Sequence, residues 1–467
     1  MKTLFSFLTL LSITSFSSAQ PAPDQLAGTW QGTLQAQGVS LRFVAHIKNE
    51  NGNLSATMDS PDQGVVGIPV SSVNYTAGKL DFAVAPGASY HGEWNSDHFE
   101  GKWSQNGSDF PLNLSRENNP VEPNRPQEPK PPFPYTATDV TFANSIQKNT
   151  IAGTLTIPEG KGPFPAVILI TGSGQENRNE ELMGHKPFLV IADYLSRNGI
   201  AVLRCDDRGV GGTTGEVMKA TSEDFATDIE AALDFLKTQR GVDVKRIGLI
   251  GHSEGGGIAQ MVAKNHSEVS FIIMIGGLAI DGGRDLYLQN EKFYAGSGVP
   301  GEVAKKYLML FQQMIDTIKT QKTTDEKHKA ISTLLNNGRK QFSEDELKYV
   351  PNLQDEKSIE VLANQMILPW MQSFINYDPQ PALKTLKCDI LAIYGEKDIQ
   401  VPAKENSEAF GQTMQNGQSK INKVVVMPGL NHLMQHATTG MPSEYGTIEE
   451  TFSPEVLKMI ADFILKR

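Results

Sequence analysis

The pentapeptide Gly251-His252-Ser253-Glu254-Gly255 constrains the fold more than any other feature of this 467-residue chain. An apolar run at 246–250 precedes it, and a run of small and apolar residues at 256–263 follows it. This order predicts a strand, a sharp turn and a helix, with Ser253 at the turn. The glycines allow the strand and the helix to pass closely, because no Cβ stands between them. A serine at this position is either an exposed nucleophile or a helix cap, and the pattern favours the nucleophile.

A serine hydroxyl needs a base to take its proton and an acid to orient that base. The apolar run 388–394 predicts a strand that leads into Asp398, and the run 423–427 predicts one that leads into His432. Both residues therefore follow the carboxyl ends of predicted strands, where open α/β sheets place their sites. The chain order Ser253, Asp398, His432 is the order that this topology requires. The weaker candidates are Glu396 for the acid and His185, His252 and His436 for the base.

Acyl transfer also needs N–H donors aimed at the negatively charged oxygen of the tetrahedral intermediate. The backbone N–H of Glu254, which follows the nucleophile, is the expected first donor. The second is expected from the loop after the predicted strand 165–170, at Ser173, Gly174 or Gln175. The sequence leaves open which of these three amides is the donor.

Several motifs together resemble the α/β-hydrolase superfamily between about residue 135 and residue 467. The likeness is to its secreted bacterial esterase-like branch, related to dienelactone hydrolases, acetyl xylan esterases and prolyl-oligopeptidase-type catalytic domains. The motifs are Gly172-Ser173-Gly174, Asp207-Arg208-Gly209-Val210-Gly211, Gly251-His252-Ser253-Glu254-Gly255-Gly256, Gly395-Glu396-Lys397-Asp398-Ile399-Gln400-Val401-Pro402 and Pro428-Gly429-Leu430-Asn431-His432.

This resemblance implies an α/β-hydrolase fold with a mostly parallel, eight-stranded sheet. It also implies a catalytic triad of Ser253, Asp398 and His432 that acts through an acyl-enzyme. The His-Gly-Gly-Gly motif of many lipases is absent, and Gly172-Ser173-Gly174 stands in its place.

The first part of the chain has a different character. Residues 1–19 combine a basic start, a short apolar core and small residues at the end, which predicts a signal peptide and a secreted or periplasmic protein. Residues 20–116 contain short alternating runs separated by turn signals, which predicts a small all-β, barrel-like accessory domain. Its opening resembles lipocalin-like domains. Its tryptophans either fill the β core or line a sugar-binding face: Trp30, Trp94 and Trp103.

A Pro-rich stretch at 117–134 predicts an extended linker. The catalytic domain is expected at 135–467, because predicted strands alternate there with helices. Over a hundred residues separate the predicted strands at 271–276 and 388–394, and they are rich in helix formers. We therefore predict a helical cap over the site at about 281–385.

Charge and composition exclude several classes of partner. The net charge of −11 argues against nucleic acid and against anionic membranes, because both require basic surface. Beyond the signal peptide, no stretch predicts a membrane span. The histidines show no spacing that suits a metal, and no cofactor is predicted. The oligomeric state stays open.

These observations predict a secreted serine hydrolase that cleaves a small-molecule carboxylic ester, which could be linked to a carbohydrate. Two alternatives stay open. One is a serine peptidase of the prolyl-oligopeptidase type. The other is a glycan- or lipid-binding protein that carries a vestigial triad.

Overall fold

The computed structural model describes residues 21–36, 39–50, 52–63, 65–84, 87–105, 108–116 and 124–466. The predicted signal peptide and the first part of the predicted linker, 117–123, lie outside the described residues. Within the described part, an all-β segment comes first and an α/β segment follows.

The N-terminal segment is a closed antiparallel barrel. Its strands in the described ranges are β1 (Gly28–Ala36), β2 (Val39–Glu50), β3 (Asn53–Ser60), β4 (Val65–Thr76), β5 (Lys79–Val84), β6 (Ala88–Asn95), β7 (His98–Gln105), β8 (Ser108–Pro111) and β9 (Leu114–Ser115). The ring closes because β6 pairs with β7, and β9 pairs with both β7 and β1. Eight strands form the ring, and β8 is added to β7. Closure leaves the ring without a free sheet edge.

The tryptophans of this barrel belong to its core. Trp30 and Trp103 are only 1% and 3% exposed. Trp94 packs edge-on against Trp30 and Phe99, with ring centroids 6.1 and 5.1 Å apart. Of the two roles that the sequence allowed, the structure therefore supports the core and not a sugar-binding face.

The second sheet confirms the predicted mostly parallel, eight-stranded α/β fold. Over residues 124–466, its order is β10-β11-β13-β12-β14-β15-β16-β17. The hairpin β10–β11 and the pair β11–β13 are antiparallel, and the other neighbours are parallel. The strands are β10 (Tyr135–Asn144), β11 (Asn149–Pro158), β12 (Phe164–Ile170), β13 (Ala201–Cys205), β14 (Val242–His252), β15 (Phe271–Ile275), β16 (Asp389–Gly395) and β17 (Asn422–Met427).

Helices cover both faces of this sheet. In chain order they are α1 (Pro187–Arg197), α2 (Ser222–Lys237), α3 (Glu254–Asn265), α4 (Gly282–Gly296), α5 (Gly301–Thr320), α6 (Thr324–Arg339), α7 (Glu344–Leu347), α8 (Glu356–Met366), α9 (Pro369–Asn376), α10 (Gln380–Thr385), α11 (Ala403–Met414) and α12 (Pro454–Leu465). Alternate residues of the central strands pack on opposite sides, as Ile168 and Val167 do. Central parallel strands are therefore apolar on both faces.

Helices α4 to α10 lie between β15 and β16, a stretch that the structure describes completely. Several of them share a core of their own, in which Met314, Ile331 and Leu335 are fully buried. Among the described residues, no helix is both long enough and apolar enough to cross a membrane.

The described half of the Pro-rich stretch packs on the α/β unit. Besides the carbonyl of its neighbour Asn124, the Arg125 guanidinium donates to four backbone carbonyls of the α/β unit, those of Met183, Gly184, Gly446 and Ile448. The Gln127 amide exchanges hydrogen bonds with the backbone of Thr451 and Phe452. These contacts bring together two loops that lie beside His185 and after His432.

Candidate active site

Ser253 lies at the turn between β14 and α3, in a conformation that few residues adopt. Its φ is 54° and its ψ is −122°, and its side chain makes no capping bond to the described helix. Backbone strain of this kind costs about 1–3 kcal/mol and is typical of functional sites. A Cβ at Gly251 would lie 2.0 Å from the carbonyl oxygen of Gly255, so the turn requires glycine there. The structure thus argues against Ser253 as a helix cap.

Asp398 and His432 form a buried hydrogen-bonded pair. Nδ1 of His432 lies 2.7 Å from Oδ2 of Asp398, and the residues are 3% and 2% exposed. An ionised carboxylate only accepts, so Nδ1 carries the proton and Nε2 is the basic nitrogen. The other carboxylate oxygen, Oδ1, accepts from the backbone N–H groups of Gln400 and Val401, both at 2.8 Å.

The end of β15 brings the three predicted residues to one place. The backbone N–H of Ser253 donates to the carbonyl of Ile275 at 2.9 Å. At the next residue, Gly276, a Cβ would lie 3.2 Å from the His432 ring and 3.3 Å from Oδ2 of Asp398. The φ of Gly276 is +55°, so a side chain there would be both strained and crowded.

The rival candidates have other partners. Glu396 is exposed and accepts from the backbone N–H of Gly429. His436 is exposed and pairs with Glu450. His185 is buried against Thr451 and the carbonyl of Tyr445, and burial lowers its pKa to about 4.

The loop after β12 presents the predicted oxyanion donors. The N–H of Gly172 is bonded to the carboxylates of Glu176 and Glu180, and the N–H of Glu176 is bonded to Asp207. The amides between them, those of Ser173, Gly174 and Gln175, lie on exposed residues. Glu254, the predicted first donor, is the first residue of α3, where backbone N–H groups have no partner within the helix.

The Glu254 side chain connects the turn at Ser253 to the helices α2 and α9. Its carboxylate accepts from Nε1 of Trp370 on α9, at 2.8 Å to each oxygen, and from the Ser222 hydroxyl at 2.6 Å. Burial raises the pKa of Glu254, and these hydrogen bonds lower it again only in part.

An acidic cluster of Glu176, Glu180 and Asp207, which the sequence did not predict, lies beside the loop of candidate oxyanion donors. Burial raises the pKa of Asp207 to about 7, and it also raises the pKa of Glu176 well above its usual range. Glu180 pairs with His252, the residue before the nucleophile, at 2.8 Å. Two signals stood in the sequence, the histidine inside the turn motif and Asp207 in the Asp207-Arg208-Gly209-Val210-Gly211 motif. Glu176 and Glu180 carried none, because they are in a polar loop that looked solvated.

A cavity of about 500 Å³ lies beside the loop that follows Asp398. Ile399 and Gln400 of that loop line it, together with residues of α4 and α5 and the segment 348–352, which includes the charged side chain of Lys348. The aromatic residues of its wall are Phe293, Tyr294, Tyr307 and Tyr349, and its amide residues are Gln289, Asn290, Asn352 and Gln400. Among the described residues, no cluster of three or more histidine, cysteine or acidic side chains could hold a metal ion.

Fold and site together define an α/β-hydrolase with a serine at the strand–helix turn. A sequence profile described as serine aminopeptidase, S33, matches residues 186–437, more than half of the chain. The chain therefore belongs to the serine aminopeptidase (S33) family.

Individual relatives are more distant. Over 295 residues the chain is 27% identical to esterase EstD of Thermotoga maritima, covering 62% of this chain and 59% of that esterase. Over 125 residues it is 30% identical to an uncharacterized 31.7 kDa protein of Escherichia coli, covering 26% of this chain and 41% of that protein. The chain thus spans about half the length of these curated relatives.

Among solved structures, the Pyrococcus furiosus esterase Pf2001 superposes with a TM-score of 0.45 at 15% identity, covering 74% of this chain and 98% of that one. At this distance the likeness carries no functional argument.

Proposed function

We propose that this chain is a serine hydrolase that cleaves carboxylic esters, with Ser253 as nucleophile, His432 as base and Asp398 as the residue that orients the base. The observation that carries the proposal is the 2.7 Å bond between Nδ1 of His432 and Asp398. This bond leaves Nε2 of His432 as the nitrogen that can take the proton of Ser253, a serine held in a strained turn. The similarity to an esterase supports the choice of an ester substrate.

The reaction would proceed in two halves. Ser253 attacks the ester carbonyl while His432 takes its proton, and His432 then gives that proton to the departing alcohol. The N–H of Glu254 and an amide of the loop at Ser173, Gly174 or Gln175 would stabilise the oxyanion. Water, activated by the same histidine, releases the acid and restores the serine.

The cavity beside the loop after Asp398 supports a ring-bearing substrate group that carries hydroxyl groups. Its wall combines aromatic rings and amides, which pack on rings and bond to hydroxyl groups, with the ammonium of Lys348. A substrate linked to a carbohydrate fits this lining.

The family description gives a peptidase as the second candidate. An aminopeptidase must bind a free ammonium group, and a carboxylate would serve this best. The residues that line the cavity include no acidic side chain, and the nearby carboxylates of Glu180 and Glu254 are bonded to protein donors. The cavity therefore favours the ester. A binding protein with a vestigial triad is disfavoured, because aromatic side chains fill the interior of the barrel.

The first test is hydrolysis of p-nitrophenyl esters, from acetate to octanoate, and of amino-acid p-nitroanilides. Wild type and Ser253→Ala are compared, and a fluorophosphonate probe measures reactive serine. We expect the wild type to hydrolyse esters and to be labelled, and the variant to do neither. Faster hydrolysis of the anilides would favour the peptidase. Ester hydrolysis that persists in Ser253→Ala would refute the assignment of the nucleophile.

We also propose that the chain is exported and that its first 19 residues are removed. Expression in a bacterial host, followed by fractionation and N-terminal sequencing, tests this. We expect mature protein that starts at Gln20. Full-length protein that remains in the cytoplasm would contradict the proposal.

A further inference from the structure

His252 lies between two hydrogen-bond acceptors. Its Nδ1 is 2.8 Å from Oε1 of Glu180, and its Nε2 is 3.0 Å from the backbone oxygen of His432. A carbonyl oxygen only accepts, so Nε2 carries a proton. Oε1 of Glu180 already accepts the N–H of Gly172 at 3.0 Å, so this oxygen is an acceptor for both of its neighbours. Nδ1 then carries a proton as well, and the ring of His252 is an imidazolium.

The pair is well shielded from solvent. His252 and Glu180 are 7% and 3% exposed, so each charge depends on the other. Burial by itself lowers the pKa of His252, but the charge and the hydrogen bond of Glu180 more than reverse this, and the net direction is upward. The titratable groups around His252 come from five places in the chain. They are Glu176 and Glu180 after β12, Asp207 after β13, Glu254 on α3, Asp398 after β16 and His432 after β17.

We propose that Glu180 and His252 are positioning residues that set the base and the oxyanion loop together. Glu180 holds His252 as an imidazolium. His252 in turn donates from Nε2 to the backbone oxygen of His432 and so fixes that part of the backbone. The same Glu180 carboxylate fixes Gly172, which begins the loop of candidate oxyanion donors. The inference rests on the proposed function, because it assigns roles relative to His432 as base.

The charge of His252 also acts on the base directly. The ring centroids of His252 and His432 are 4.6 Å apart. A positive charge at this distance disfavours a second positive charge on His432. A substitution that removes the imidazolium should therefore affect proton transfer at His432 as well as the position of its backbone.

The test compares wild type with Glu180→Gln and His252→Gln, from about pH 5 to about pH 9. Rates are divided by the concentration of serine that reacts with fluorophosphonate, so that misfolded protein does not count. The matched controls are Glu181→Gln on the same loop and His266→Gln after α3. Both controls lie outside the network and should behave as wild type.

We expect kcat to fall roughly tenfold to a hundredfold in both variants, while KM stays within about threefold. The acid limb of the kcat/KM profile should also move to higher pH. A merely structural role would lower the labelled fraction and leave this limb in place. Unchanged kcat, or a lower kcat with an unmoved limb, would overturn the proposal.

A second measurement reads the charge without any substrate. In NMR spectra of protein carrying ¹⁵N-labelled histidine, the signals lost in His252→Gln belong to His252. We expect both ring nitrogens to be protonated at neutral pH, and the signals to become those of a neutral ring in Glu180→Gln. A neutral His252 ring in the wild type would overturn the proposal, even if no ester were hydrolysed. If His252→Gln does not fold, His252→Asn provides the same assignment.

Discussion

At the scale of single residues, the backbone around Asp398 decides which way its carboxylate points. Oδ1 is held by two backbone N–H groups, those of Gln400 and Val401, so Oδ2 is the oxygen that faces His432. The proton on Nδ1 is thereby fixed, and with it the free electron pair on Nε2. The orientation of the His432 ring thus depends on the chain directly after β16.

Asp398→Asn should exploit this arrangement. The two N–H groups will hold the amide oxygen of the asparagine in place of Oδ1, which turns its NH₂ toward Nδ1 of His432. The histidine must then accept at Nδ1 and carry its proton on Nε2, where it cannot act as base. We expect kcat for ester hydrolysis to fall on the order of a thousandfold or more, with a similar KM.

The control is Glu396→Gln, which changes the exposed carboxylate two residues earlier. It should keep wild-type kcat. If both substitutions reduced kcat equally, the orienting role of Asp398 would be wrong.

Glu176 makes stability depend on pH. Burial, followed by the charges of Glu180 and Asp207, raises the pKa of Glu176 in the folded protein. The folded chain then keeps a proton that the unfolded chain loses above about pH 4.5. The free energy of unfolding therefore falls as pH rises from that value toward the folded pKa.

Glu176→Gln should remove this dependence. The glutamine cannot ionise, yet it can still accept from Gly172 and donate to Glu180. We expect the unfolding free energies of variant and wild type to agree near pH 4.5, and the variant to be more stable at pH 8 by about 1 kcal/mol or more. Urea unfolding at both pH values measures this. An equal difference at both values would contradict the pKa shift.

Candidate site residues could be predicted from the sequence where a chemically reactive side chain follows an apolar strand. Ser253, Asp398 and His432 each follow an apolar strand in a fixed order, so the candidates could be named before the structure was known. Glu180 could not, because an acidic residue in a polar loop looks solvated until the fold buries it. Its partner, His252, was noted only as a rival base.

At the scale of secondary-structure elements, close packing around the turn makes the geometry of Ser253 possible. Gly255 is in the first turn of α3, where the helix passes the end of β12. A Cβ at Gly255 would lie 2.3 Å from the carbonyl oxygen of Ile170 and 2.5 Å from that of Thr171. The helix, the strand and the oxyanion loop therefore meet without room for a side chain.

Gly255→Ala should push α3 away from β12. We expect a loss of about 1–3 kcal/mol in unfolding free energy, and a lower kcat because the oxyanion donors separate. Gly411→Ala in α11 is the matched control, since no heavy atom lies within 4 Å of its added Cβ. It should stabilise by about 0.5–1 kcal/mol. A stable and fully active Gly255→Ala protein would contradict the packing argument.

The packing of the helices between β15 and β16 could not be predicted from the sequence. Their helix-forming residues predicted helices, but the partner of each apolar face depends on how the helices cross. The cavity of Tyr294, Tyr307 and Gln400 is formed by several separate segments, among them α4, α5, residues 348–352 and the loop after Asp398. No local pattern brings these residues together.

At the scale of the whole molecule, the described half of the Pro-rich stretch holds two loops of the α/β unit together. Arg125 reaches carbonyls on the loops 183–184 and 446–448. Met183 packs there with Leu433 and Tyr445, and the Tyr445 hydroxyl accepts from Gln400, two residues after the acid. A single guanidinium thus ties the chain after the barrel to the surroundings of Asp398 and His432.

Arg125→Ala should loosen both loops at once. A planar guanidinium can donate to several carbonyls simultaneously, and a lysine ammonium cannot cover all four, so Arg125→Lys should not restore stability. We expect the unfolding free energy to fall by about 2 kcal/mol or more in both variants. Limited proteolysis should cut the 124–134 segment faster. The exposed Arg240→Ala is the control and should behave as wild type in both assays.

Because the two loops border Asp398 and His432, kcat per labelled serine should fall together with the unfolding free energy in Arg125→Ala. Normal kinetics in an equally destabilised Arg125→Ala protein would mean that the anchor serves the fold alone.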